Sequence, residues 1–164
     1  MRDVVADRSS FDGERTRSHA RRGALRYGYL SQGERQMKRV TGIGGIFFHA
    51  RDPAVLRDWY KTHLGIDVQA WGGTAFTWAD ADGNPMKGTT VWSIGSADGN
   101  NFAPSKSPFM INYRVEDLSA LLQALRAEGC NVLDKTDDSD YGKFGWVIDP
   151  EGNKVELWQP PPGQ

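Results

Sequence analysis

The sequence predicts an α+β fold of two βαβββ units in one chain, and three observations carry that expectation. The run Phe144-Gly145-Trp146, Asp149-Pro150-Glu151-Gly152-Asn153 and Val155-Glu156-Leu157-Trp158 is preceded by a degraded copy, Phe76-Thr77-Trp78, Asp82-Gly83-Asn84 and Thr90-Val91-Trp92. Each copy follows a strand-like run and an Asp suited to capping a helix. Each helix-like stretch also ends on a glycine, Gly65 or Gly129. One turn recurs easily by chance, whereas an ordered set marks two copies of one unit.

The elements follow in order. Ile43 to Ala50 is rich in β-branched and aromatic residues and reads as a strand. Asp52 caps the next helix, Pro53 suits its first position, and Val55, Leu56, Trp59, Tyr60 and Leu64 fall at helical spacing. Strands are expected near 66–71, 74–80 and 87–95, with Gly72-Gly73 and Asp82-Gly83-Asn84 as turns. After a Gly/Asn/Pro/Ser-rich connector over 95–107, Pro108 to Val115 restarts the series. Asp117 caps a helix whose Leu118, Leu121, Leu122 and Leu125 form one apolar stripe. Strands near 131–136, 142–148 and 153–159 complete the second unit.

At 164 residues the chain is about one domain's worth, large enough to bury a core without disulfides. The formal net charge of -1 gives no bulk attraction to nucleic acid or membrane, and no run approaches the length of a bilayer span. The expected partner is a small molecule. Cys130, the only cysteine, excludes an intramolecular disulfide and a multi-cysteine zinc site, and it suits a reducing compartment. The chain is therefore read as cytoplasmic. Residues 1–36 combine eight Arg with Ser, Gly and Asp and few apolar residues, so they are expected to be disordered or a misassigned extension. Codons for Gly33-Glu34-Arg35 can spell a purine-rich ribosome-binding sequence just before Met37. The interspersed acids and the lack of interleaved aromatics argue against a nucleic-acid arm. One domain is expected over 37–160, with unit one at 40–95, unit two at 108–160 and a tail at 161–164.

The Asp-led helices, the Trp59-Tyr60 to Leu64-Gly65 helix end and the Asp149-Pro150-Glu151-Gly152-Asn153 strand entry resemble the vicinal oxygen chelate superfamily. That group comprises glyoxalase, bleomycin-resistance and extradiol dioxygenase proteins, and the resemblance covers residues 40–160. It implies that each unit curls its sheet into half a cup around a small-molecule site; related folds often complete the cup by pairing chains, so a homodimer is an open expectation. It also implies metal ligands on the first and last strands of each unit. Those positions are Gly45 and Met110 on the first strands, and Glu156 with Thr90 on the last when Trp92 is laid on Trp158. Only Glu156 can ligate, and open catalytic sites usually need about three protein ligands.

Strand alternation sets Phe47 with His49, and Met110 with Asn112 and Arg114, on the inner face. It places Lys154, Glu156 and Trp158 on the matching face of the last strand, with Thr90 and Trp92 as mates. Arg114 and Glu156 are expected to pair, either as a closed salt bridge or with Arg114 holding an anion while Glu156 acts as base. His49 is read as a strand-end histidine bonded to backbone, as a ligand contact, or as half of a shifted metal site with Glu156. His63 and His19 are expected to face solvent. No cofactor is expected, with a divalent metal left open. Three functions compete: a metal-independent binder; an isomerase, lyase or dioxygenase using Glu156; and an interaction protein whose cup is filled by its own side chains.

Overall fold

A computed structural model describes residues 38–164; the expectations for residues 1–36 and His19 lie outside the described residues. The chain forms β1 (Gly42–Ala50), α1 (Pro53–Leu64), β2 (Gly73–Ala79), β3 (Pro85–Ser96), β4 (Phe109–Arg114), α2 (Leu118–Ala127), β5 (Asn131–Ser139), β6 (Gly142–Ile148) and β7 (Lys154–Gln159). Seven strands make one mixed sheet in the order β2-β3-β1-β4-β7-β6-β5. Each unit pairs its first and last strands in parallel, β1 with β3 and β4 with β7, and the units join through antiparallel β1 and β4.

Both helices start where a side chain can satisfy a free backbone N–H. Asp52 Oδ1 accepts from Val55 N at 3.0 Å, and Asp117 Oδ1 accepts from Ala120 N at 2.9 Å. The twin turns are also built alike. Asp80 and Asp149 each accept from the backbone N–H and side-chain Nδ2 of an Asn four residues on, Asn84 and Asn153. Gly83 and Gly152 take φ values of 85° and 83° in these turns, a region that favours glycine.

The helices cover one face of the sheet, each over its own core. Under α2, Val115, Leu118, Leu121, Leu122 and Leu157 are buried together. Under α1 the cluster is smaller, with Ala50, Trp92 and Ile94 buried and Phe48, Leu56 and Tyr60 packed against it. Arg57 of α1 donates from Nε to the Ile94 carbonyl at 3.0 Å, tying the helix to β3.

The strand expected near 66–71 does not form. A turn closes from Gln69 to Gly72, and only Gln69 N bonds back, to the Gly73 carbonyl at 2.8 Å. Ile66 and Val68 nevertheless pack beneath α1, so the segment supplies core without a ladder. Unit one thus has three strands and unit two has four. Among the described residues no helix is long and apolar enough to cross a membrane.

Candidate functional site

The sheet face away from the helices carries two cavities divided by Phe47, which lines both. Cavity one, about 560 Å³, is lined by His49, Ser93, Met110, Lys135, Lys154 and Glu156 among others. Cavity two, about 620 Å³, has walls of Trp71, Val91, Tyr141, Phe144 and Trp158, with Asn112 between it and Glu156.

Parallel pairing of β4 with β7 sets Asn112 beside Glu156, and antiparallel pairing of β6 with β7 sets Trp146 on the other side. Asn112 Nδ2 donates to Glu156 Oε1 at 2.7 Å, and Trp146 Nε1 donates to Oε2 at 2.8 Å. Asn112 is 2% exposed and Glu156 8%, so both polar side chains sit inside the protein. Burial pushes the Glu156 carboxyl above the usual range, against the two donors that favour its charged form. Asn112 Oδ1 has no partner, and Gly44 explains how it fits: a Cβ there would overlap that oxygen and lie 2.6 Å from Trp158 Cε3.

Phe47, His49, Met110 and Glu156 all line cavity one as alternation predicts. His49 stacks on Phe102 with ring centroids 3.6 Å apart, and burial lowers its pKa. Asn112 and Trp158 line cavity two; Trp158 Nε1 donates to the Tyr141 carbonyl at 2.8 Å. His63 is exposed on α1.

Two placements differ from expectation. Trp92 lies under α1, with Tyr60 edge-on at 4.9 Å, rather than inside the cup. The cause is hairpin length: β3 spans 12 residues and β7 six, so matching turn to turn and Trp to Trp slides the units out of register. Core packing aligns Ile94 with Leu157, which makes Ser93, paired with Phe47, the counterpart of Glu156, paired with Asn112. Thr90 instead accepts from Trp78 Nε1 and donates to the Ile43 carbonyl, both at 2.9 Å. An odd slip exchanges the faces of a strand, which is why Trp92 left the cup.

Arg114 does not pair with Glu156. Its guanidinium lies 5.2 Å from the Trp78 ring and 5.7 Å from the Trp158 ring and donates to the Gln164 carbonyl. Glu156 is bonded instead by Asn112, which stands beside it in the β4–β7 register, and by Trp146.

The positions to which the resemblance assigns a metal do not fit one. Met110 and Ser93 are poor ligands, and a side chain at Gly45 would meet the Phe47 ring at 2.7 Å from Cζ. Both Glu156 oxygens already face N–H groups, whose positive ends oppose a nearby cation. Among the described residues no three His, Cys, Asp or Glu gather in a cluster able to hold an ion.

Sequence reasoning missed the role of Trp146, although it stands directly across from Glu156 in the β6–β7 hairpin. It also missed Lys135, which with Lys154 lies near the Trp146 ring, and Phe102 in the connector. The hairpin signal was available for Trp146; nothing local announced Phe102.

Residues 45–158 match the model of a glyoxalase-like domain. Among curated proteins none matches the chain in sequence. Solved structures with this fold include methylmalonyl-CoA epimerase from Mycobacterium tuberculosis, at TM-score 0.53 and 19% identity over 77% of this chain and 92% of that one. A second methylmalonyl-CoA epimerase, solved with methylmalonyl-CoA and NH4+, aligns at TM-score 0.56 and 16% identity over 76% of this chain and 98% of its own. Identities this low establish a common fold and no more.

Proposed function

Because the chain belongs to the glyoxalase-like domain family, we propose that it binds a small molecule in cavity one without a resident divalent ion. The observation that carries this reading is the Asn112–Glu156–Trp146 unit, in which a buried carboxylate is held by two N–H donors at the edge of an open cavity. Desolvating a carboxylate is costly, and the two hydrogen bonds offset part of that cost. The cavity walls combine Phe47, Met110 and Leu133 with polar groups, as small-molecule sites commonly do. Native mass spectrometry of protein purified from its own host tests the reading. A stoichiometric organic molecule is the expected result; a stoichiometric divalent ion, or a cup empty at every protein concentration, would overturn it.

Glu156 favours a second reading, proton transfer. Burial raises its carboxyl above the ordinary range, which makes it a stronger base, and it lines the same cavity. Deuterium uptake from solvent into the co-purified molecule is the readout. Glu156→Gln should abolish that uptake while leaving binding in place, and uptake that persists in Glu156→Gln removes the role.

A further inference from the structure

Lys135 and Lys154 converge on Trp146 at the wall of cavity one, with Nζ 5.7 Å and 5.1 Å from its ring centroid. Neither ammonium forms a salt bridge among the described residues. Lys154 donates to the Asn101 carbonyl at 2.7 Å, a neutral acceptor. Glu156, the one carboxylate among the residues lining this cavity, is hydrogen-bonded by Asn112 and Trp146 and attracts Lys154 through space without a salt bridge. Asp137 on β5 is near enough to raise the Glu156 pKa but is itself exposed to solvent. His49, the remaining titratable group on the wall, has its pKa lowered by burial, which disfavours its charged form. Two cations therefore face a partly apolar cavity lined by a single carboxylate, and the excess of positive charge attracts an anion.

Resting on the reading of cavity one as a binding site, we infer that its ligand is an organic oxyanion, with the anionic group between Lys135 and Lys154 and an apolar body against Phe47, Phe102, Met110 and Leu133. The cation pair sets the charge of the ligand, and the aromatic and aliphatic wall sets its body.

Titration calorimetry of the full chain with three probes tests this: 1-naphthoate, 1-naphthyl phosphate and the neutral 1-naphthylmethanol. One or both anions should bind at least about tenfold more tightly than the alcohol, and added salt should narrow the gap. Whichever anion leads identifies the group as carboxylate or phosphate. Lys135→Met and Lys154→Met should each weaken the anion about fivefold and leave the alcohol unchanged. Lys143→Met, whose lysine does not line cavity one, should change neither. Equal affinity for acid and alcohol, or equal loss in Lys143→Met, overturns the anion assignment while the pocket stands. Failure of all three probes to bind overturns the pocket as well.

Discussion

In unit two, α2 buries Leu118, Leu121 and Leu122 against the sheet, whereas α1 of unit one buries none of its residues fully and leaves Val55, Trp59 and Leu64 exposed. The inner faces differ in parallel. Unit two presents Met110, Asn112 and Glu156, while the corresponding sites in unit one are Gly45, Phe47 and Ser93. Duplication preserved the helix caps and turns, which depend on local bonds, and let the two inner faces diverge. One half of the cup became the better-packed, polar half; the other supplies Phe47, the partition between cavities. Polar chemistry is concentrated where the supporting core is densest, as a precisely held site requires.

The largest expected effect tests the packing side of that contrast. Leu122 is buried, and its methyls lie where a Cβ on Gly145 would be, 2.8 Å from Cδ1. Leu122→Ala should cost about 2–5 kcal/mol by denaturant unfolding, the usual cavity penalty. Leu56→Ala, under the looser α1, should cost about 1–2 kcal/mol because that side chain keeps part of its exposure. Equal costs would erase the distinction between the units.

The next effects concern what holds Glu156. Gly44→Ala drives a methyl into Asn112 Oδ1 and the Trp158 ring, so it should cost about 1–3 kcal/mol by overpacking. Trp146→Phe removes one of the two donors to Glu156 and should cost about 1–3 kcal/mol. The same replacement at Trp78, whose indole bonds Thr90 in the less buried unit, should cost less. Unfolding midpoints of the three variants rank these contributions directly.

A pH series sharpens the comparison further. The folded carboxyl of Glu156 is raised above its unfolded value, so its contribution is fully present below the unfolded pKa, about 4.3. Between the two values the folded state keeps a proton that the unfolded chain has lost, and stability falls as pH rises through that window. Glu156→Gln should flatten this slope. Gln can still accept from Trp146 and can donate to Asn112 once that amide turns its free Oδ1 around. An unchanged slope would place the titration elsewhere.

Most of the fold was legible because its signals are local. Asp52, Asp117, Gly65 and the two acidic turns act within a few residues of themselves, and each does what its position in the sequence implies. Strand faces within one element were also readable, which is why Phe47, His49, Met110, Asn112 and Glu156 reach the inner side. Partners across strands were not readable. Arg114 and Asn112 stand two residues apart on one face, and only the β4–β7 register decides that Asn112 meets Glu156. The difference in length between β3 and β7 is likewise invisible when equal hairpins are assumed, and it sent Trp92 to the wrong face.

The smallest expected effect lies where the units agree. In both turns the side-chain hydrogen bond from Asn is the first cause holding the Asp carboxyl below its ordinary range, with the Asn backbone bond next. A depressed carboxyl contributes stability above its unfolded pKa and loses it as pH falls through the folded value. Asp80→Ala and Asp149→Ala should therefore lower the melting temperature slightly and by similar amounts at neutral pH, with both differences shrinking in acid. Asp149 leads into β7 and the Glu156 site, Asp80 only into β3, so a larger loss at Asp149 would mean that its turn also positions that site. Equal losses would make the twin turns interchangeable supports, and the divergence of the units would then begin beyond them, at the strands that line the cup.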